Sequence, residues 1–275
     1  MPSLDQHQSN EYTKMLVMGD PGTGKTGGLA SLVKAGYWLG ILDYDNGLDP
    51  LRQFVEKECP DKIKNVEYRS LSDKFKTGPD GPVVDGSATA FREGLRMLDN
   101  WKYGETDYGN PADWGPGRIL VVDSLTKMCK SAFDWREQLV MGKAGKYDQR
   151  AVYYDTQKQV EKGVVAKLFS EQYKTNVIII THVHYIEDEV GVRKGYPRTI
   201  GSALSPIVGI YFNSLIQFET KGGKRTIRTI PSATVDLKNP KPFAMAPSYP
   251  IETGMADIFD VLRGKIKPKA QLRRV

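Results

Sequence analysis

A glycine-rich stretch near the N-terminus has the residue types that bind phosphate. Residues 19–26 read GDPGTGKT, which fits the pattern G-x-x-x-x-G-K-[S/T], between an apolar run and a helix-like segment. Glycines let backbone N–H groups curl around phosphate oxygens, and the N-terminus of the helix adds its dipole. In this pattern Lys25 reaches the β- and γ-phosphates, and the Thr26 hydroxyl ligates Mg²⁺. The predicted phosphate-binding residues are Gly19, Asp20, Pro21, Gly22, Thr23, Gly24, Lys25 and Thr26.

A carboxylate that ends an apolar strand is the usual partner of such a loop. The run RILVVD (118–123) ends in Asp123, which we expect to hold Mg²⁺ through water or through the Thr26 hydroxyl. Thr26 and Asp123 are therefore the predicted metal-binding residues.

Two further carboxylates follow another buried run, in the stretch LDYDNGLDP (42–50). Ligands of a parallel α/β sheet bind beyond the carboxyl ends of its strands, so one of these acids is placed to orient a water for in-line attack on a γ-phosphate. If the strand continues, alternation sends Asp43 and Asp45 to the same side, and geometry does not rank them.

The elements that must position these residues alternate along the chain. Short apolar runs are separated by helical patterns, which favours a mostly parallel sheet with helices on both faces. A later stretch, SLIQFETKGGKRTIRTIPS, predicts an antiparallel hairpin, and a short helix follows near Ala256–Leu262. Residues 75–87 and 103–117 are glycine-rich and are predicted to be loops. The predicted strands are 14–19, 37–43, 65–71, 118–123 and 176–182.

We expect one domain in this chain of 275 residues. We also expect it to be soluble, because no apolar run reaches the ~20 residues of a membrane helix. The division we expect is a flexible segment over 1–13, the core over 14–262 and a basic tail over 263–275. The tail carries the whole net charge of +6, which suits a polyanion or a solvated, disordered end. The two cysteines of the chain, Cys59 and Cys129, are expected to be reduced thiols, as in a cytoplasmic protein.

Together, these residues resemble the RecA-like recombinase ATPases, and among them the small phage single-strand-annealing ATPases that consist of the core alone. The resemblance runs in order through GDPGTGKT, ILDYDNGLDP, ILVVDS, NVIIITH, GSAL (201–204) and the strand pair ending at DLKNPKPF. It implies a P-loop fold with a RecA-like core, ATP and Mg²⁺ as ligands, and a location in the cytoplasm, that of the host if the chain comes from a phage.

The resemblance also assigns catalytic roles. The catalytic carboxylate of the family falls on Asp45, where most relatives of the bacterial recombinase have Glu, and slow hydrolysis follows as an expectation. Asp43 would be a structural neighbour, although the alternatives that Asp43 or neither acid is the base stay open. The γ-phosphate sensor falls on His182, which could instead be a packed or surface histidine. The implied catalytic set is Lys25, Asp45, Asp123 and His182.

DNA contacts are implied in two loops. The second DNA-binding loop of the family matches Val183–Ser202, and the first would be residues 136–150. Basic and aromatic side chains there could contact phosphates and stack on bases, although ordinary solvated loops are the alternative. The residues concerned are Arg193, Lys194, Arg198, Tyr185 and Tyr196 in the second loop, and Lys143, Lys146, Tyr147 and Arg150 in the first.

Assembly is implied as well. Lys238 and Lys241 match the cations that reach the γ-phosphate of a neighbouring subunit, although a lysine-containing turn is the alternative. The implied partners are single-stranded DNA, further copies of the chain in a ring or filament, and a single-strand-binding protein, with no membrane.

Three functions are consistent with these observations. The leading one is an Mg²⁺-ATP-dependent ATPase that binds single-stranded DNA and promotes annealing or strand exchange. A nucleotide-gated DNA-binding scaffold with weak hydrolysis is the second. A motor or remodelling ATPase of the AAA class is disfavoured, because such a protein would have a helical lid domain after the core; a small-molecule kinase remains open on the P-loop alone.

Overall fold

A computed structural model describes residues 11–79, 81–141, 148–187, 189 and 191–264. The predictions for Lys143, Lys146 and Tyr147 lie outside the described residues, as do those for residues 1–10 of the N-terminal segment and residues 265–275 of the tail.

Fourteen strands occur in the described part of the chain. In chain order they are β1 Lys14–Gly19, β2 Trp38–Asp43, β3 Val66–Ser70, β4 Phe75–Gly78, β5 Gly81–Val84, β6 Lys102–Tyr103, β7 Thr106–Asp107, β8 Gly115–Asp123, β9 Thr175–Thr181, β10 Val183–Glu187, β11 Arg193–Pro197, β12 Ser214–Lys221, β13 Lys224–Arg228 and β14 Ser248–Pro250.

Eight α-helices accompany them within the same residues. They are α1 Lys25–Gly28, α2 Ala30–Lys34, α3 Asp49–Glu58, α4 Ala90–Asp99, α5 Leu125–Met141, α6 Gln149–Val160, α7 Gly201–Ile207 and α8 Gly254–Leu262. Residues Glu161–Ala166 continue α6 in π-helical geometry. None of the helices in the described part of the chain has the length and apolar character needed to cross a membrane.

Eight strands form one sheet in the order β14-β13-β12-β1-β9-β8-β2-β3. The six strands from β12 to β3 are parallel, and β13 and β14 are added antiparallel. This arrangement confirms the predicted α/β fold with its later antiparallel hairpin. It also brings the carboxyl ends of β1, β2, β8 and β9 to one edge, with Asp43 directly beside Asp123 in register.

The central strands are buried on both faces, which explains their continuous apolar runs. Leu16, Leu42 and Val122 face a core formed with α4, α5 and α6. Their neighbours Val17, Ile41 and Val121 face a second core formed with α2, α3 and α8. Alternate residues of each strand therefore anchor helices on opposite sides of the sheet.

The two glycine-rich stretches predicted to be loops contain small hairpins instead. Residues 75–84 form the β4–β5 pair, and β6 pairs with β7 at the start of the second stretch. Trp114, in that second stretch, packs edge-on against Trp38, with ring centroids 5.0 Å apart. A Cβ on Gly40 would lie 2.6 Å from the Trp114 ring, so the second stretch covers the sheet where a strand residue has no side chain.

Lys14 is a charged residue inside the fold. Its ammonium donates to the carbonyl oxygens of Leu168, Tyr173 and Thr175 at 2.9, 2.7 and 2.9 Å. Burial lowers the pKa of Lys14 to about 7. The lysine therefore ties the start of β1 to the chain that enters β9.

We predict that Lys14→Met lowers the free energy of unfolding by about 2 kcal/mol, because three buried carbonyl oxygens lose a donor. Without the substitution, Lys14 keeps its proton up to pH ~10 in the unfolded chain. Because the folded state releases it near pH 7, the unfolding free energy should rise with pH above 7 through this group. Chemical denaturation from pH 6 to 9 should show that slope reduced in the variant.

Lys57→Met is the matched control, because Lys57 lies on the exposed surface of α3. It should change neither the free energy nor its pH slope measurably. An equal stability of Lys14→Met and the native protein would contradict the anchoring role.

Candidate active site

The glycine-rich loop lies between the end of β1 at Gly19 and the start of α1 at Lys25. Gly24 has φ 90°, a left-handed conformation that strains other residues. A Cβ on Gly19 would lie 2.5 Å from the carbonyl oxygen of Phe218 in the neighbouring strand β12. Glycine is thus required by backbone conformation at one position and by close packing at the other.

Lys25 is buried at the base of this loop, and its ammonium donates to the carbonyl oxygens of Gly19 and Asp20 at 2.8 and 2.9 Å. Burial lowers the pKa of Lys25, and the nearby carboxylates of Asp123 and Asp45 oppose that shift. The cation therefore lies against the loop, with two acids close to it.

Thr26 and Asp123 are in direct contact, with the Thr26 hydroxyl donating to the Asp123 carboxylate at 2.7 Å. Asp123 is 3% exposed, and its burial raises its pKa to about 7, with the Asp45 and Asp43 charges adding to the effect. A carboxylate and a hydroxyl are the hard oxygen donors that Mg²⁺ uses when phosphate oxygens and water complete its shell. The residues present fit that ion, and its charge would relieve the cost of ionising Asp123.

The structure separates the two acids that sequence geometry left unranked. β2 ends at Asp43, so alternation does not continue to Asp45. Asp43 is buried and accepts a hydrogen bond from the Gly47 N–H at 3.4 Å. Asp45 lines the cavity next to Lys25, and its carboxylate accepts a hydrogen bond from the Ser124 hydroxyl at 2.9 Å. Of these two acids, therefore, only Asp45 lines the cavity.

His182 follows β9 and lines the same cavity. Its backbone N–H and its Nδ1 both lie 3.2 Å from the Thr126 hydroxyl in the first turn of α5. Burial lowers the pKa of His182, and the positive charge of Lys25 adds to the shift. The ring is therefore held in its neutral form beside the P-loop cation.

One cavity of about 1040 Å³ contains the predicted site. Five predicted residues line it together: Lys25, Thr26, Asp45, Asp123 and His182. Of the remaining P-loop positions, Pro21, Gly22 and Gly24 line the cavity, and the Thr23 hydroxyl instead donates to the Asp20 carbonyl at 2.8 Å.

Sequence reasoning missed part of the wall of this cavity. Phe54 of α3, Ile251 after β14 and Arg225 of β13 lie there, together with Lys224 and Glu252. The glycines of α1 are the one sequence signal for this wall, because Gly27 leaves room for the Phe54 ring, whose Cε2 atom would be 3.0 Å from an added Cβ.

The predicted second DNA loop is an antiparallel hairpin, β10–β11, rather than an irregular loop. Arg193 stacks on the Tyr185 ring at 4.2 Å, and Lys194 pairs with Asp236 at 3.5 Å. Arg198 is exposed, and its backbone N–H donates to the His182 carbonyl at 2.8 Å. In the described part of the predicted first loop, Arg150 is exposed at the start of α6. These side chains lie outside the cavity lining.

The two lysines assigned to a neighbouring subunit differ in their surroundings. The Lys238 ammonium donates to the carbonyl oxygens of Ile210 and Phe212 at 3.1 and 3.3 Å, so it is held against its own chain. Lys241 is exposed. Lys238 could contact a neighbouring subunit only if both of these hydrogen bonds were broken.

The fold and this site define a P-loop nucleotide hydrolase with a RecA-like core. A family model described as an AAA domain matches residues 11–240, and the chain therefore belongs to that family and is an ATPase. No curated protein matches the chain. Among solved structures, the assembled ATPase EscN from the type III secretion system of enteropathogenic E. coli is similar, at 12% identity and a TM-score of 0.38. That match covers 75% of this chain and 43% of EscN, so this chain spans less than half of its length.

The family match corrects the low rank that sequence analysis gave to the AAA class. That rank rested on the absence of a helical lid after the core. The described residues beyond β13 do contain only β14 and α8 as regular elements, so the lack of a helical lid in this part of the chain does not exclude the family.

The raised pKa of Asp123 gives a stability prediction. The folded state holds this proton up to about pH 7, whereas the unfolded chain releases it near pH 4. Stability should therefore fall as pH rises between these values, and Asp123→Asn should remove the penalty. At pH 8, without nucleotide, we expect the variant to be more stable than the native protein by ~1–3 kcal/mol.

Denaturant unfolding at pH 5 and pH 8 measures this effect. Asp113→Asn, which changes an exposed carboxylate, is the control and should leave both values unchanged. If Asp123→Asn is less stable than the native protein at pH 8, burial of the ionised Asp123 carboxylate does not destabilise the folded state.

Proposed function

We propose that this ATPase uses Mg²⁺, binds single-stranded DNA and promotes annealing or strand exchange in recombination or replication, as the phage annealing ATPases that it resembles do. The observation that carries the proposal is the presence of Lys25, Asp45, Asp123 and His182 around one cavity. An ATPase needs a phosphate cation, a metal carboxylate and a water-orienting group in one place, and these residues supply all three.

In this proposal each side chain has one task. Lys25 leaves the carbonyl oxygens of its own loop and binds the β- and γ-phosphates. Thr26 and Asp123 would hold Mg²⁺, whose charge would neutralise that of the phosphates. Asp45 accepts a hydrogen bond from the attacking water and aligns it for in-line displacement. As the water oxygen bonds to the γ-phosphorus, the bond from the γ-phosphorus to the bridging oxygen breaks and Asp45 takes a proton from the water, which it gives up again when phosphate leaves.

The link to DNA runs through the start of α5. The Thr126 hydroxyl lies 3.2 Å from the His182 N–H, and the Thr181 hydroxyl beside it donates to the Arg198 carbonyl at 2.8 Å. Because His182 lines the cavity and Arg198 follows the β10–β11 hairpin, a change at the phosphate would move the hairpin that carries Arg193 and Lys194. DNA on that hairpin would in turn favour the hydrolytic geometry.

Assembly is the least direct part of the proposal. Lys241 is exposed and available to a neighbouring copy, whereas Lys238 must first release its own chain. A ring or filament, and a single-strand-binding protein as a further partner, follow from the resemblance. We extend the proposal to a cytoplasmic protein with its core at 14–262, between an N-terminal segment and a basic tail.

A nucleotide-gated scaffold with weak hydrolysis is the second candidate. The Ser124 hydroxyl occupies one oxygen of Asp45 at 2.9 Å, and the side chain is a methylene shorter than the Glu of most recombinase relatives. Both features would slow water activation. If Asp45→Glu leaves ATP turnover unchanged, the shorter carboxylate does not limit the rate and this candidate loses its support.

A remodelling ATPase is the third candidate, favoured by the AAA-domain match. Such a protein would be stimulated by its protein or duplex DNA substrate, and not by single-stranded DNA.

We predict that single-stranded DNA raises the steady-state ATPase rate about fivefold or more. Arg193→Ala combined with Lys194→Ala should abolish the stimulation and keep the basal rate, because neither residue lines the cavity. Lys25→Ala should abolish both. Activity that responds to duplex DNA or protein alone would contradict the proposal and favour the remodelling candidate.

A further inference from the structure

The β12–β13 hairpin forms part of the cavity wall, on the side of β1 away from β8 and β2. Thr220, Gly223, Lys224 and Arg225 of this hairpin line the cavity together with the P-loop. Its turn consists of Gly222 and Gly223, both with positive φ, the geometry of a tight two-residue hairpin. The position of the hairpin tip over the P-loop is therefore set by a short connection between two paired strands.

Arg225 of this hairpin lies beside the glycine-rich loop. Its Cδ lies 3.4 Å from the position that a Cβ on Gly24 would occupy. Thr220 is directly opposite Arg225 in the antiparallel ladder and lines the same cavity, so the two side chains leave the same face of the hairpin. An added Cβ on Gly24 would also lie 2.4 Å from the Cδ1 atom of Ile251, so any side chain at this position would collide with that residue.

The guanidinium of Arg225 has no carboxylate partner within the described residues. The ion pair of this hairpin is made further along β13, where Arg228 lies 3.6 Å from Glu219. Arg225 and Lys224 are both exposed and take part in no ion pair that the described residues contain. Glu252 lines the same cavity but forms no ion pair with either cation among the described residues, so both cations can attract an anion.

The two cationic sides of the cavity are distinct. Lys25 is close to Asp45 and Asp123, the side on which hydrolysis is proposed. Arg225 lies beside Gly24, on the side where Ile251 packs over the loop and Gly28. A polyphosphate in the loop would therefore meet a cation at each side.

We propose that Arg225 is a second phosphate-binding cation, which reaches the α- or β-phosphate of the nucleotide from within the same chain and clamps the β12–β13 hairpin onto it. A guanidinium suits this task because its planar donors can bind two phosphate oxygens at once. Arg225 then contributes to binding of ATP and ADP alike, whereas Asp45 acts only in hydrolysis. This inference rests on the proposed nucleotide site and is independent of DNA.

Calorimetric titration of the full-length protein without DNA tests the proposal. Arg225→Ala should lower the affinity for Mg²⁺-ADP and for Mg²⁺-tripolyphosphate by about tenfold each, since one charge-assisted contact is lost. Arg225→Lys should recover part of that loss, because the charge stays and the planar fork does not.

Lys221→Ala is the matched control, because Lys221 is on the same hairpin and carries the same charge but does not line the cavity. It should bind both ligands as the native protein does, and all variants should have the native unfolding midpoint without ligand.

Three results would overturn the inference. They are native affinity in Arg225→Ala, an equal loss in Lys221→Ala, and a loss with ADP but not with tripolyphosphate, which would place the arginine on the base or ribose. All three outcomes leave the nucleotide site itself intact. Failure of the native protein to bind either ligand would instead reject the proposed function.

Discussion

The buried carboxylate of Asp123 is the interaction on which the site depends. One oxygen of the carboxylate accepts a hydrogen bond from the Thr26 hydroxyl. The backbone carbonyl oxygen of Asp123 accepts hydrogen bonds from the N–H groups of Tyr44 and Asp45 at 2.6 and 3.3 Å. A single residue thus joins the P-loop helix, the end of β8 and the chain that leaves β2. Because the group is charged in function and buried in the fold, the burial that places it in the site also costs stability.

The parallel sheet makes this junction possible. Four neighbouring strands end at one edge, so the segments that follow them bring residues that are far apart in sequence into one cavity. Helices on both faces hold the strands in register through two separate cores. The antiparallel hairpin adds a wall that a purely parallel sheet would lack, and with it the cations that face the P-loop.

Much of this could be predicted from sequence, for local reasons. The strands β1, β8 and β9 are apolar runs that end in a Gly or a polar residue, and the P-loop is a contiguous pattern whose backbone demands are visible in its glycines. Asp45 could not be separated from Asp43, because the difference depends on where β2 ends. Phe54, Ile251 and Arg225 carry no local signal, since only the packing of α3 and the later hairpin brings them to the cavity. The glycine-rich stretches were mistaken for loops because Trp114 and the small hairpins are stabilised by contacts with the sheet.

A crystal structure of the protein with Mg²⁺ and a non-hydrolysable ATP analogue would show whether these strand ends bind one triphosphate and its metal. We expect one nucleotide, with its γ-phosphate between Lys25 and Asp45 and the metal bound at Thr26 and near Asp123. A nucleotide bound elsewhere, or a metal held away from Thr26 and Asp123, would contradict it.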